Sequence, residues 1–178
     1  VRHTAHRGDD HDNLVAAPRQ LDFAQASTLT CAGATAWFAL AESAPTRPGD
    51  TVVIMGTGGV ALFAMQIAHA QGARVVVVSG SDDKLARAAQ LGADHGIHRH
   101  RTPDWAAEVR ALTGGRGADH VLELAGGDNF GRSLSALAQG GRVSVIGNLQ
   151  GDELRGSVYP LLLGRATVQG IGVAHRRA

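Results

Sequence analysis

The chain is poor in aromatic residues and almost free of cysteine. Phe, Trp and Tyr together make up 4% of the 178 residues, so a buried core has to be built from Val, Leu, Ile and Ala. The single cysteine, Cys31, excludes an internal disulfide framework and is typical of a reducing compartment. We therefore expect a cytoplasmic protein that depends on aliphatic packing.

An excess of charge of one sign and long apolar runs are also missing. The formal net charge is +1 at pH 7, and acidic and basic residues are interspersed. A nucleic-acid-binding protein would show a basic face or stripe. No apolar run approaches the roughly 20 residues that a membrane-spanning helix needs, and the N-terminus lacks the apolar block of a signal peptide. We expect neither nucleic acid nor a membrane as a partner.

Glycine, in contrast, is abundant, and one glycine cluster follows an apolar run directly. The chain has 24 glycines, so a bare glycine pattern is weak evidence, but this one opens an apolar-periodic helix. Gly56, Gly58 and Ala61 have the spacing of a dinucleotide fingerprint in its strand–turn–helix context. The alternative is a packed turn without a ligand. The residues predicted to lie at a pyrophosphate are Gly56, Thr57, Gly58, Gly59 and Val60.

Strand-like and helix-like patterns alternate along the chain. Four consecutive valines, Val75–Val78, are typical of a parallel strand buried on both faces. The alternation predicts an α/β fold, a doubly wound parallel six-stranded sheet of the Rossmann type. The predicted strands are Val52–Met55, Val75–Val78, His95–His98, Val121–Leu124, Arg142–Ile146 and Thr167–Val173. The predicted helices are Leu21–Ala44, Gly59–Gln71, Lys84–Leu91 (capped by Asp82 or Asp83), Pro103–Leu112, Phe130–Leu137 and Tyr159–Leu163.

The polar segment 1–13 shows neither the periodicity of an amphipathic helix nor that of a strand. We expect a disordered or cloning-derived tail there, followed by one dinucleotide-binding domain over 14–178.

Several stretches, taken in order, resemble one known family. They are Leu21–Trp37, Gly56–Ala64, Ser81–Leu85 with Leu91–Asp94, Leu112–His120 and Gly140–Gly147. Together they resemble the medium-chain dehydrogenase/reductase superfamily, in its zinc-type alcohol dehydrogenase-like and quinone reductase-like branch. The resemblance implies an oxidoreductase that transfers a hydride between a nicotinamide cofactor and an alcohol or carbonyl, enone or quinone substrate. It also implies a GroES-like catalytic domain and a C-terminal segment, neither of which this sequence contains. We therefore expect a cofactor-binding domain that is inactive alone.

The end of the second strand predicts which cofactor binds. NAD-binding domains place an acidic residue there for the ribose hydroxyls, whereas this chain has Ser79. Ser79, Gly80 and Ser81 leave room and donors for a 2′-phosphate, Lys84 lies one turn into the following helix, and the resemblance adds Arg99. These residues predict NADP. The alternative is that Asp82 or Asp83 reaches the ribose and makes NAD usable.

The nicotinamide end is predicted near Ala125, Gly147 and Asn148, and the resemblance adds Thr35. No catalytic residue is assigned, because no acid–base or nucleophile pair stands out. Glu123 is read either as a general base or, as the resemblance implies, as a packing residue.

A metal site is not predicted for this chain. The resemblance places Cys31 where zinc alcohol dehydrogenases have one zinc ligand, but a site needs further ligands, which would lie in the catalytic domain, so zinc is left open for the parent enzyme. The alternative is a small buried helix residue. His95, His98 and His100 resemble a metal cluster, but His95 and His98 would point to opposite faces of a strand and only His98 and His100 could share an ion. A solvated strand end is the preferred interpretation.

Two alternative functions and one oligomeric state are also considered. The chain could be a non-catalytic dinucleotide-binding module, or a methyltransferase, although Ser79 argues against the latter. The resemblance also implies a homodimer through the edge strand Thr167–Val173, because an unpaired edge invites pairing.

Overall fold

A computed structural model describes residues 16–172 and contains one parallel sheet between two layers of helices. The six strands lie in the order β3–β2–β1–β4–β5–β6, and every pair is parallel. The predicted Rossmann fold is therefore confirmed. The strands are β1 (Thr51–Met55), β2 (Arg74–Ser79), β3 (His95–His98), β4 (Ala118–Glu123), β5 (Leu137–Val145) and β6 (Thr167–Gly170). The helices are α1 (Phe23–Ser27), α2 (Ala34–Trp37), α3 (Gly59–Ala70), α4 (Asp82–Gln90), α5 (Trp105–Leu112), α6 (Asn129–Ser135) and α7 (Tyr159–Leu162).

The valines of β2 show why the sheet is buried on both faces. Val75 and Val77 pack into a cluster with α2, α3 and α4, whereas Val76 and Val78 pack into a second cluster with α5 and α6. Successive side chains of a strand point to opposite faces, so a continuous apolar run serves both layers. Most of both clusters is aliphatic, as the composition predicts.

The segment before β1 is helical but not one continuous α-helix. It begins at Asp22, whose carboxylate accepts a hydrogen bond from the Gln25 amide at 2.7 Å. α1 and α2 then alternate with π-helical turns at Leu29–Gly33 and Phe38–Ser43. The hydroxyl of Thr35 donates to the Cys31 carbonyl at 2.7 Å. Side chains that bond to nearby backbone in this way compete with the regular helical ladder.

Several predicted boundaries are wrong by a few residues. β5 begins at Leu137 rather than at Arg142, because the register shifts between Ala118 and His120 and lets the first residue of β4 pair with Leu137. α6 consequently ends at Ser135. α4 is capped by Ser81, not by Asp82 or Asp83, which lie in its first turn.

Some expectations concern residues outside the described range. The tail predicted at 1–13 lies there, as does Val173, the predicted last residue of the edge strand. Within residues 16–172, no helix combines the length and the apolar content needed to cross a bilayer.

Candidate functional site: a cleft at the carboxyl ends of the strands

A cleft of about 430 Å³ opens where the strand order reverses. β1 and β4 are neighbours there, and their connections leave in opposite directions. Open α/β sheets bind ligands at this switch point, outside the carboxyl ends of the strands. The residues that line the cleft are Met55, Gly56, Thr57, Gly58, Val78, Ser79, Gly80, Ser81, Lys84, Arg99, Leu124, Ala125 and Leu149.

The turn between β1 and α3 exposes backbone to this cleft. Gly56 has φ +83°, a conformation that side chains other than glycine rarely adopt, and its N–H donates to the Val78 carbonyl at 2.8 Å. Gly58 is the N-cap of α3 and offers no side-chain cap, so the first amides of this twelve-residue helix have no side-chain acceptor there. A Cβ atom added at Gly58 would meet nothing within 4 Å. The helix start is thus an open anion-binding position.

The end of β2 forms the second wall. Ser79 is buried, and its carbonyl accepts the Arg99 amide at 2.9 Å, which brings the end of β3 beside it. Ser81 caps α4 by accepting from the Lys84 amide at 3.4 Å. Lys84 and Arg99 line the cleft, and no acidic residue is among the described residues that do so. This wall therefore favours an anion.

Gly80 lines the cleft between the two serines, where the sequence predicts room for a phosphate. A Cβ atom at this position would lie 2.7 Å from the His100 ring nitrogen Nε2 and 3.0 Å from Nε of Arg99. A side chain at Gly80 would displace the ends of these two exposed side chains, a contact that has no signature in the local sequence. Leu149, which is 86% exposed, is an apolar lining residue outside the predicted set, as are Met55, Val78 and Leu124.

Asp82 is held by an ion pair on the rim of the cleft. Both of its carboxylate oxygens accept hydrogen bonds from the Arg101 guanidinium, one of them at 2.7 Å. This hydrogen bond holds the pKa of Asp82 below its ordinary value. One of the two carboxylates that the NAD alternative offers is thus already paired, and Asp83 is the other.

The loop after β4 is organised by Glu123, which is fully buried. One carboxylate oxygen accepts the amides of Ala125 and Gly126 at 2.7 and 3.0 Å. The other accepts the side-chain amide of Asn129 at 2.8 Å and the hydroxyl of Ser133. A carboxylate with four donors and no exposure fits the packing role and not that of a general base.

Five predicted site residues do not line the cleft. Gly59 begins α3 behind Gly58, and Val60 packs against the core. Thr35 is buried and its hydroxyl is engaged with Cys31. Gly147 and Asn148 lie close to the loop after β4: a Cβ at Gly147 would lie 2.9 Å from the Leu124 carbonyl oxygen, and a Cβ at Gly126 would lie 3.1 Å from the Asn148 Cα.

The described residues do not assemble a zinc site. Cys31 is exposed, which corrects the expectation of a buried helix residue. The rings of His98 and His100 are 5.7 Å apart, but among residues 16–172 no group of three or more His, Cys, Asp or Glu side chains could hold a metal ion.

Known proteins resemble this chain in sequence and in fold. A family model for zinc-binding dehydrogenases matches residues 59–178. A zinc-type alcohol dehydrogenase-like protein of Schizosaccharomyces pombe is 40% identical over 166 residues, which are 90% of this chain and 48% of that protein. The crystal structure of a provisionally assigned alcohol dehydrogenase from Sinorhizobium meliloti superposes with a TM-score of 0.86 at 62% identity, over 92% of this chain and 48% of the other. The chain thus spans about half the length of these relatives.

Two further solved structures differ in their cofactor. An NAD-dependent alcohol dehydrogenase matches with a TM-score of 0.82 at 36% identity, over 90% of this chain and 47% of that one. The Escherichia coli quinone oxidoreductase, in complex with NADPH, matches with a TM-score of 0.79 at 26% identity, over 89% of this chain and 49% of that one.

Proposed function

Since the chain belongs to the zinc-binding dehydrogenase family, we propose that its cleft binds NADP(H) as the cofactor-binding part of an oxidoreductase. The parent reaction would be hydride transfer between the nicotinamide and an alcohol or carbonyl, an enone or a quinone. The observation that carries the proposal is the open helix start at Gly58, beside a wall with two cations and no acid. When bound, the cofactor supplies the hydride, and the protein supplies position and electrostatics.

The described residues suit each part of a dinucleotide. The pyrophosphate would lie over Gly56–Val60, where the first amides of α3 would donate hydrogen bonds to it and the open space at Gly58 would accommodate it. The adenosine end would lie against Ser79, Ser81, Lys84 and Arg99, and the nicotinamide end near Ala125. Glu123 holds that last wall in place through the amides of Ala125 and Gly126.

We favour NADP over NAD because of the charges on the adenosine side. A 2′-phosphate would meet Lys84 and Arg99, and charge-assisted hydrogen bonds to phosphate contribute on the order of 1.5–3 kcal/mol each. Both side chains are exposed, so solvent weakens these bonds. A preference of roughly tenfold to a thousandfold remains.

Fluorescence titration of the chain with NADPH, NADH and S-adenosylmethionine tests the proposal. We expect the tightest binding to NADPH, and Ser79→Asp should invert the order, because a carboxylate repels the 2′-phosphate and accepts hydrogen bonds from a free ribose. Equal affinities for the two nicotinamide cofactors would contradict the NADP assignment. Binding of S-adenosylmethionine alone would instead support a methyltransferase.

A non-catalytic dinucleotide-binding module is the second candidate. It is favoured by the buried, fully hydrogen-bonded state of Glu123, which leaves the cleft wall without an acid–base group at that point. The described residues also offer no zinc site, so no step is assigned to zinc. Turnover of NADPH with a quinone or an aldehyde would contradict the module; we expect none from this chain alone.

The proposed assembly is a homodimer through β6, and the proposed location is the cytoplasm. β6 is the last strand of the described sheet and has a neighbour on one side only. Val168 in this strand is 36% exposed, and the preceding helix α7 exposes Tyr159 and Leu162 by 66% each. An unpaired edge beside apolar side chains suits a second copy of the same strand across a twofold axis.

A further inference from the structure

Arg101 and Asp82 form an ion pair beside the wall of the cleft that contains Ser79, Ser81, Lys84 and Arg99, where the adenosine is proposed to bind. Asp82 follows the capping residue Ser81 directly, and Ser81 lines the cleft whereas Asp82 does not. Two guanidinium nitrogens of Arg101 bind the two carboxylate oxygens of Asp82. Such a paired, planar arrangement fixes the direction of a carboxylate more firmly than a single contact does.

The backbone holds Arg101 in position for this contact. The amides of Arg101 and Thr102 both donate to the His98 carbonyl, at 3.0 and 2.9 Å, which closes a tight turn after β3. The amide of Arg99 donates to the Ser79 carbonyl at 2.9 Å and attaches the same turn to the end of β2. Arg101 is therefore presented to the first turn of α4 by a segment that is itself bonded to the cleft wall.

We propose that Arg101 is a specificity-determining positioning residue, which excludes NADH by keeping the Asp82 carboxylate away from the adenosine ribose. This inference rests on the proposed function, because it assumes that the ribose lies against Ser79 and Ser81. With Arg101 in place, Asp82 accepts hydrogen bonds from the guanidinium. Without Arg101, the carboxylate is free to accept hydrogen bonds from the 2′- and 3′-hydroxyls of NADH, and its charge repels the 2′-phosphate of NADPH.

The sign of the NADH effect separates this role from simple charge loss. Both cofactors are anions, so removing a cation from the rim weakens the Coulomb attraction for both of them. Tighter binding of NADH after loss of Arg101 therefore requires a new attractive contact, and Asp82 is the group that the substitution releases. The first turn of α4 tolerates the freed carboxylate, because a negative charge is favourable at a helix N-terminus.

The experiment measures dissociation constants of NADH and NADPH for the chain and for Arg101→Met, Asp82→Asn and the double variant. We expect Arg101→Met to bind NADH roughly fivefold more tightly, about 1 kcal/mol, and NADPH more weakly. The gain for NADH should disappear in the double variant. Arg101→Lys keeps the charge but offers no planar pair of donors, so it should retain only part of the original discrimination. Arg116→Met is the matched control, since Arg116 pairs with Asp119 near the opposite ends of the strands, and it should change neither affinity.

The outcomes separate a failure of this inference from a failure of the proposed function. NADPH binding by the unmodified chain with no gain for NADH in Arg101→Met overturns this inference and leaves the proposed function standing. A gain for NADH that persists in the double variant also overturns it, because Asp82 would not be the cause. Failure of the unmodified chain to bind either nucleotide overturns the proposed function and this inference together.

Discussion

Gly56 and Gly58 lie in the same turn, but the physical reason why glycine stands at each position differs. Gly56 has φ +83°, so its backbone itself requires glycine. Gly58 has φ −79° and ψ −176°, which any residue adopts. A side chain at Gly58 would enter the open space of the cleft, so the fold does not require this glycine, whereas the proposed pyrophosphate would.

Gly58→Val should therefore abolish dinucleotide binding without unfolding the chain. We expect NADPH affinity to fall by roughly a hundredfold or more, about 3 kcal/mol, while the free energy of unfolding changes by about 0.5 kcal/mol or less. Titration together with urea unfolding measures both quantities. Gly170→Val is the control, because a Cβ there also meets nothing within 4 Å and β6 lies outside the cleft. A folded Gly58→Val variant with normal NADPH affinity would refute the fingerprint.

Glu123 shows how a buried carboxylate acts through its donors. In Glu123→Gln, one acceptor oxygen becomes an NH₂ group that faces the Asn129 side-chain amide. Asn129 cannot simply turn over, because its own oxygen accepts the Trp105 indole N–H at 3.1 Å. We expect a loss of about 1–3 kcal/mol in the free energy of unfolding, measured in urea. The exposed Glu153→Gln is the matched control and should change stability little; an unchanged stability of Glu123→Gln would refute the network.

Between elements, the contact of β4 with β5 contains a buried imidazole that makes stability depend on pH. Nε2 of His120 lies 2.7 Å from the Ser144 hydroxyl. Burial, together with the nearby Arg142 charge, lowers the pKa of His120 from 6.5 to about 4. The unfolded chain therefore binds a proton between pH 6.5 and pH 4, and the folded chain does not.

Stability should consequently fall as the pH is lowered through this window. The loss attributable to His120 approaches about 3 kcal/mol at pH 4 and is absent above pH 7. Urea unfolding of the chain and of His120→Gln at several pH values isolates this contribution, and His95→Gln, at an exposed position, controls for the loss of an imidazole. Parallel pH profiles of the chain and His120→Gln would rule out the assigned pKa shift.

The sequence predicted the elements better than their boundaries. Val75–Val78 and the turn at Gly56 were recognisable because burial on both faces and a fingerprint each leave a local pattern. The start of β5 at Leu137 was not, because a register shift depends on how two distant segments pair. The ion pair of Asp82 depends on the turn after β3, so the local sequence contains no signal for it.

For the whole molecule, the strand order explains both the site and the exposed edge. The reversal between β1 and β4 creates the cleft at the carboxyl ends, and it also leaves β3 and β6 with one neighbour each. The two edges differ in their side chains. Gly96 and His95 are exposed on β3, whereas β6 exposes Val168 and lies after the apolar surface of α7. Pairing between copies is therefore favoured at β6.

Hydrogen-bond direction along β6 identifies the variant that tests this homodimer. The Ile171 amide donates to the Val145 carbonyl at 2.9 Å, and alternate amides of a strand point in opposite directions. The amide of Val168 therefore faces away from β5. Val168→Pro removes that outward donor and leaves the β5–β6 ladder intact, so the dimer dissociation constant should rise roughly tenfold or more, about 1.4 kcal/mol. Val168→Thr keeps both the amide and the β-branched shape and should remain dimeric. Light scattering at micromolar concentration measures the mass, and a monomeric unmodified chain would refute assembly through this edge.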